Sequence, residues 1–342
     1  MTQTLADTLN RPLRVGNRTV ANRLVLAPMT YLGHIAYREV LEELGGCGLM
    51  FTEMCSAKTI PTENPRRSAH FTWRPAELPR LVCQIFGNDP STMAQAAARI
   101  AAEGFFGVDI NFGCAVAGIC KRNCGAALLK DPPRAEAIVA AVRRAVKIPV
   151  WVKFRTGWED CITPALELGR RFEGAGADAL TFHPRVAPDR RARRPKWDYI
   201  RQLKTAVTIP VFGNGEVFTP ADALQMLTFT RCDGIALGRM AIARPWLFSA
   251  WTQDTPPEET RDLYLSTALA ILAATERYFP EPAALRRFRR FIQYFGANFK
   301  YGHTLNSRIK GAGDLAACKM VLFDFFKDPP QPLARPNLNL FI

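Results

Sequence analysis

Short runs of Val, Ile, Leu and Phe recur along this chain, each followed by a polar turn and a stretch of helical period. The runs are Leu24–Met29, Leu49–Thr52, Leu81–Phe86, Val108–Phe112, Pro149–Phe154, Ala179–His183, Ile209–Phe212 and Gly234–Leu237. Proline opens several of the helical stretches, at Asp89-Pro90, Pro132-Pro133, Thr163-Pro164 and Thr219-Pro220. Its ring presets a helical φ, and the N–H it lacks would be unpaired in a first turn anyway. The apolar runs carry no in/out alternation, as parallel strands covered on both faces require. Strand then helix, eight times, predicts an α/β fold of the TIM (β/α)8 barrel type over roughly residues 20–250. An open doubly wound sheet is the alternative, but eight units and no G-x-G-x-x-G after the first strand count against it.

Ahead of the first long strand, Leu13–Val15 and Val20–Leu26 flank Gly16-Asn17 and predict a hairpin. Beyond Trp251 every stretch up to Lys327 is helical in period. The expected organisation is a barrel domain over 1–252 with its N-terminal hairpin, a small C-terminal all-α bundle over 253–327, and an extended proline-bearing tail over 328–342.

The formal net charge of +14 is large for an enzyme of small neutral metabolites and suits a polyanionic partner. Nine cysteines, an odd number in a chain of this length, argue against a disulfide framework and for a reducing compartment. The polar N-terminus carries no secretory h-region, and no apolar run is long enough to span a bilayer. A cytoplasmic monomer with no membrane association is therefore expected.

In such barrels chemistry sits at the C-terminal strand ends. Those ends are rich in hydrogen-bond donors: Gln84, Lys153, Arg155, His183, Asn214 and Arg239. Glycine-bearing turns follow the last two strands, at Gly213-Asn214-Gly215-Glu216 and Gly238-Arg239-Met240. This is where the fold usually binds phosphate through backbone N–H groups. A phosphorylated, planar, electron-accepting cofactor fits the set, and flavin mononucleotide (FMN) fits best. A lysine closing the apolar strand Val150-Trp151-Val152 would be costly without an anionic partner.

The segments Ala-Pro-Met, Gln-Ile-Phe-Gly-Asn-Asp-Pro, Asp-Ile-Asn-Phe-Gly-Cys, Val-Lys-Phe-Arg-Thr-Gly-Trp, Gly-Asn-Gly-Glu and Gly-Arg-Met-Ala resemble the tRNA-dihydrouridine synthase family in order and spacing. The resemblance covers residues 20–250, and more weakly the helical region around Arg286–Lys300. It implies reduction of the C5–C6 bond of uridines in tRNA, with FMN as cofactor and NADPH as its reductant. It implies that Ala27, Pro28, Met29, Gln84, Lys153, His183, Asn214, Gly215, Gly238 and Arg239 hold FMN, with Glu216 in the same turn. Cys114 is implied as the general acid, and Asn111 and Arg185 as contacts to the uracil or its phosphates. A free thiol titrating near 8.5 can give a proton at neutral pH. Two positions depart from the family pattern: Ala115 stands where proline is usual, and Pro184 where glycine is usual.

Two basic clusters suit RNA phosphates. One, with Arg155 at the preceding strand end, comprises Arg185, Arg190, Arg191, Arg193, Arg194 and Lys196. The other comprises Arg286, Arg287, Arg289 and Arg290, in a span with no acid between Glu281 and Asp314. Together they predict a cleft reading folded RNA by shape and phosphate, with one base flipped out. Cys120 and Cys124, with Cys114, do not have the spacing of a zinc ribbon or the common iron–sulfur runs, so no metal is expected. Two other functions are compatible with the barrel: a flavin reductase of a small enone-like substrate, and an RNA-binding flavoprotein without synthase activity.

Overall fold

The computed structural model describes residues 4–189 and 193–338. Arg190 and Arg191 of the first basic cluster, and residues 339–342 of the tail, lie outside the described residues. The chain divides into two compact units: Met1–Pro28 with Gly48–Leu237, and Met29–Cys47 with Gly238–Ile342.

In the first unit a short helix, α1 (Leu5–Leu9), precedes a hairpin of β1 (Leu13–Val15) and β2 (Arg18–Val20), whose second arm ends at Val20 where the expected one began. Gly16 takes φ 57°, the left-handed region the turn demands. Next come β3 (Leu24–Leu26), β4 (Met50–Phe51), β5 (Cys55–Ser56), β6 (Leu81–Phe86) and β7 (Gly107–Phe112). The series ends with β8 (Val150–Gly157), β9 (Ala179–Val186), β10 (Val211–Asn214) and β11 (Gly234–Leu237). The sheet order is β3-β11-β10-β9-β8-β7-β6-β4, with every neighbouring pair parallel and β5 added beside β6. A parallel bridge between Val25 and Leu49, with the Leu26 N–H donating to the Leu49 carbonyl at 2.9 Å, brings the two ends of that order together. This is the eight-stranded barrel the sequence predicts.

The helix α2 (Ile35–Leu44) belongs to the second unit. The helices of the first unit are α3 (Pro90–Ala102), α4 (Ala117–Cys120), α5 (Pro132–Ala145), α6 (Thr163–Gly174), α7 (Trp197–Ala206) and α8 (Pro220–Thr230). Three of the four proline starts are capped by a side chain, whereas at the fourth Thr163 is already helical and Ile162, the residue before it, has no polar side chain to cap with. Asp89 accepts from the Thr92 N–H at 2.8 Å, Asp131 from the Arg134 N–H at 3.2 Å, and Thr219 forms a reciprocal box with Asp222. The alternation lapses once. Between β5 and β6 the only helical turns are the 3₁₀ segments Ile60–Thr62 and Pro75–Arg80. Pro61, Pro65, Pro75 and Pro79 punctuate that stretch, and each removes an N–H that an α-helix would need.

Val82, Trp151, Ala179 and Phe212, each first or second in its strand, share one buried cluster with Val15 and Val20 of the hairpin. The hairpin thus stoppers the N-terminal end of the barrel, and Trp151 fills its interior against Phe51 and Phe212 with ring centroids 5.9 and 5.8 Å away. Polar side chains are left to the other end of the same strands.

The second unit is helical. It contains α2, α9 (Arg239–Ala243), α10 (Leu247–Thr252), α11 (Arg261–Tyr278), α12 (Glu281–Phe295), α13 (Gly302–Gly311) and α14 (Leu315–Phe325). The Tyr37 hydroxyl of α2 donates to the Ala241 carbonyl at 2.7 Å, and Arg277 pairs with Glu39 at 2.6 Å. Trp246, Tyr264, Phe295, Phe299, Phe325 and Phe326 form a connected aromatic core. Asn298, fully buried, ties this core together by donating to the Ala243 and Phe295 carbonyls and accepting from Arg244. Part of the tail is seated on it: Pro332 bridges Phe299, and the Leu333 N–H donates to the Asn298 carbonyl at 2.6 Å. Among the described residues no helix is long and apolar enough to cross a membrane.

Candidate active site

Side chains two apart on a strand share a face. The cluster with Trp151 marks which face of each strand points into the barrel. From Val82 that phase reaches Gln84; from Trp151, Lys153 and Arg155; from Ala179, Thr181, His183 and Arg185; from Phe212, Asn214. The ladder sets Gln84 beside Asp109, Asn111 beside Lys153, and Arg155 beside His183. Seven of the sequence-derived site residues are thereby brought to one end of one barrel by strand register alone.

A chain of hydrogen bonds runs through them. Gln84 Nε2 donates to Asp109 Oδ2 at 2.6 Å, and Asn111 Nδ2 donates to Gln84 Oε1 at 2.8 Å. Asn111 Oδ1 accepts from the backbone N–H groups of Gly113 and Cys114 at 3.1 and 2.9 Å. The turn that carries Cys114 is held from other sides as well. Arg155 Nε donates to the Gly113 carbonyl at 2.8 Å, and the Ala126 N–H donates to the Cys114 carbonyl at 2.9 Å. Cys120 Sγ lies 3.5 Å from that same carbonyl. Four residues, Asn111, Arg155, Cys120 and Ala126, thus anchor Gly113 and Cys114 immediately ahead of Ala115. Cys114 itself is half-buried.

Burial raises the thiols of Cys120 and Cys124 above their ordinary range, which keeps them protonated. The S–H of Cys124 reaches the Arg122 carbonyl at 3.3 Å, so both thiols serve the backbone of the loop.

Asp109 is a residue the sequence reading passed over, although it shares the strand phase of Asn111. It is fully buried, and burial pushes its carboxyl up to about 7 against the Gln84 hydrogen bond and the charge of Lys153. Asp109 Oδ1 has no hydrogen-bond partner. Lys153 is drawn down to about 8, first by burial and then by the charge of Arg155. A buried carboxylate and a buried ammonium that each lean toward neutrality make a site that gains from an added hydrogen-bonding, anionic ligand.

The turn after β10 is shaped by Gly215, at φ 123°, where a Cβ would stand 3.0 Å from His183 Cδ2. Trp197 Nε1 donates to the Gly215 carbonyl at 2.9 Å, and Asn214 Nδ2 to the Ala236 carbonyl at 2.6 Å. Arg185 is 3% exposed. Its guanidinium is ion-paired with Glu216, donates to the Arg193 carbonyl at 2.6 Å and reaches His183 Nε2 at 3.3 Å. A guanidinium can only donate, so that last contact requires the His183 Nε2 lone pair and puts the ring proton on Nδ1. In the first unit Ala27 is buried with its N–H on the Leu237 carbonyl at 2.7 Å, and half-buried Pro28 follows. In the second unit a Cβ on Gly238 would come 3.2 Å from Met29 Sδ, and α9 starts at Arg239.

The basic clusters are less open than their sequence suggests. Asp160, an acid the sequence reading missed, pairs with Lys196 at 2.7 Å and with Arg193 at 3.3 Å. Arg193 also meets Asp189 at 3.2 Å, while Arg194 is exposed. In the second cluster Arg286 is exposed but Arg287 is 6% exposed, its guanidinium 4.1 Å from the Phe279 ring centroid. Arg289 donates to the Ile309 and Ala312 carbonyls at the C-terminal end of α13, and Arg290 to Gln293 at 2.7 Å. These three arginines serve helix packing and helix ends, the latter a favourable place for a cation.

Known proteins match this arrangement. Residues 25–320 match the family model described as dihydrouridine synthase (Dus). The chain is 37% identical over 313 residues to the "probable tRNA-dihydrouridine synthase" of Mycobacterium tuberculosis (strain CDC 1551 / Oshkosh), covering 86% of this chain and 79% of that one. It is 32% identical over 326 residues to "tRNA-dihydrouridine synthase B" of Pseudomonas putida (strain KT2440), covering 94% and 96%. Among solved structures, histamine dehydrogenase from Rhizobium sp. 4-9 shares the fold at a TM-score of 0.58 and 12% identity, over 95% of this chain and 64% of that one. Strand-end residues, barrel and sequence likeness agree, and the chain belongs to the dihydrouridine synthase family.

Proposed function

We propose that this chain reduces uridines in tRNA to dihydrouridine, with FMN as cofactor and NADPH as the reductant that regenerates it. The observation that carries this reading is the loop of Cys114, fixed by Asn111 and Arg155 at the polar end of the barrel beside Gln84, Asp109 and Lys153.

The residues present fit FMN. Gln84 Nε2 and Lys153 Nζ offer donors to a planar ring with carbonyl and imide edges, and Lys153 as a cation would stabilise negative charge on it. Gly215 leaves space that a side chain would fill against His183. By the family motif, the Gly238–Arg239 turn is assigned to the phosphate end. When bound and reduced, the flavin supplies the hydride to C6 of the uracil.

The chain's own part is to orient the base and move one proton. Beyond the hydrogen given to Gln84, Asn111 Nδ2 meets the weak acceptor Met54 Sδ at 3.9 Å, and exchanging that contact is its means of reaching a uracil carbonyl. Cys114 Sγ gives its proton to C5 as the C5–C6 double bond is lost, and the resulting thiolate is reprotonated from solvent. Arg185, closed into the interior with Glu216 and His183, acts on this chemistry by ordering the turn after β9. Exposed Arg194 and Arg286 supply phosphate contacts, which makes turnover salt-sensitive.

Nucleoside mass spectrometry of unmodified tRNA incubated with the FMN-loaded protein and NADPH tests the proposal. Dihydrouridine should accumulate with time. No mass gain of two hydrogens at any uridine, with flavin bound and reducible, would rule it out.

A further inference from the structure

Four groups stand in series between the barrel floor and the acid loop: the Asp109 carboxylate, the Gln84 amide, the Asn111 amide, and the N–H groups of Gly113 and Cys114. An amide side chain has two ends of nearly equal shape, so sterics alone do not tell it which way to face. Hydrogen-bond direction does. At one end of the series the backbone N–H groups can only donate, so Asn111 must turn its Oδ1 toward them and its Nδ2 toward Gln84. Gln84 must then present Oε1 to Asn111 and Nε2 to the residue beyond. That residue is Asp109, whose Oδ2 is the acceptor. Every link has one consistent direction, and Asp109 is the terminal group that sets it.

We propose that Asp109 is a positioning residue for Cys114, acting through the amides of Gln84 and Asn111. The inference rests on the reductase reading for its catalytic consequence, though not for its structural one. An apolar side chain at 109 leaves Gln84 Nε2 without its acceptor and lets the Gln84 amide turn over. Its NH₂ then faces the NH₂ of Asn111, and Asn111 can relieve that clash only by rotating off the N–H groups of Gly113 and Cys114. Buried amide groups left facing like partners are costly, so the loop would shift to relieve them. Asp109 has the traits such a terminal group requires. It is fully buried, it touches Gln84 at 2.6 Å, and Lys153 faces it from β8 with a charge that favours the carboxylate. Gln84 is itself held in place, its backbone N–H donating to Thr52 Oγ1 at 3.0 Å.

Two readouts test this. The first is the alkylation rate of Cys114 by iodoacetamide, followed by peptide mass spectrometry with exposed Cys161 as the internal reference. The second is the split between kcat and KM for tRNA. Asp109→Leu should alkylate Cys114 several-fold faster relative to Cys161. It should also lower kcat on the order of ten- to a hundredfold with KM little changed, as small misplacements of a reacting group do. The double variant Gln84→Glu with Asp109→Asn reverses the first link: the new amide at position 109 donates, and the new carboxylate at position 84 accepts from both sides. That variant should return Cys114 alkylation to the wild-type rate, whatever it does to flavin binding. A merely structural or purely electrostatic role for Asp109 would not be rescued by that exchange. Unchanged alkylation and kcat in Asp109→Leu, or a double variant that alkylates like that single one, would overturn the proposal. Should Asp109→Leu fail to fold, Gln84→Met cuts the same series, and wild-type alkylation in that variant would overturn it equally. If the wild-type protein shows no turnover of tRNA, the reductase reading fails, and the alkylation measurements still decide the relay.

Discussion

The two ends of the barrel interior are built from the same strands and are chemically opposite. At the N-terminal end stand Val82, Trp151, Ala179 and Phe212, sealed by Val15 and Val20 of the hairpin. Two residues further along each strand stand Gln84, Lys153, Thr181 and Asn214. One step of the strand period turns an apolar plug into a polar layer. The difference teaches how the fold separates stability from chemistry. The apolar layer is favoured by its own burial, whereas the polar layer is tolerable only because its members satisfy one another, as Gln84 does with Asp109 and Asn111.

The sharpest way to break this contrast is at the polar end. Cys114→Ala should leave FMN bound and slow dihydrouridine formation by about 10²–10⁴-fold, the usual worth of a placed general acid. Single-turnover oxidation of the reduced flavin by tRNA measures it, and near-wild-type rates would move the acid elsewhere. At the apolar end, Trp151→Ala should cost about 3–5 kcal/mol of stability, read by urea denaturation, with the polar layer losing its floor. Trp151→Phe should cost far less. The Trp151 Nε1 atom has no hydrogen-bond partner to lose, and the rings of Phe51 and Phe212 would still pack against a phenyl group.

A gentler probe is pH. Lys153 titrates near 8, below its ordinary value, because burial disfavours its charge. The cation is therefore present below pH 8 and lost as pH rises through it, and the affinity for an anionic flavin should fall in that direction. Between pH 7 and 9 the loss should be about tenfold, with fluorescence titration as the measurement. Lys153→Met should bind more weakly at pH 7 and show no such dependence. The smallest effects separate two neighbours in the helical unit. Arg286→Ala should lower tRNA affinity and reduce the slope of log K against log salt by about one contact, leaving thermal stability unchanged. Arg287→Ala should do the reverse, costing about 0.5–2 kcal/mol of stability through the lost stacking on Phe279, with the salt slope unchanged.

Much of the site was legible because strand ends can be read from apolar runs. Gln84, Asn111, Lys153, His183 and Asn214 were found by asking what each run ends on. The runs themselves were cut short at the site. β8 continues to Gly157 and β9 to Val186, beyond the Phe154 and His183 where hydrophobicity stops. Arg155 and His183 remain in register as ladder partners, because backbone pairing does not require apolar side chains. Asp109 escaped notice for a related reason. It sits inside an apolar run, where a charge reads as an interruption until the partner that accepts it is seen across the sheet.

The arginines mark the other limit. A cluster such as Arg286, Arg287, Arg289 and Arg290 reads as one basic face, yet on a helix four such positions point in different directions. Arg286 faces solvent, Arg287 covers an aromatic ring, and Arg289 caps the last turn of another helix. Asp160, more than thirty residues before its partner Lys196, neutralises part of the first cluster.

The sequence by itself determined the barrel, the strand order in chain direction and the polar residues that end the strands. These follow from local causes: burial on both strand faces, proline-started helices and the period of two. Only the tertiary structure decided which polar groups are spent on one another and which remain for a ligand. Hydrogen-bond direction and the neutralisation of charge belong to pairs of side chains. A pair such as Gln84 with Asp109, or Lys196 with Asp160, exists only once two distant strands or loops lie side by side.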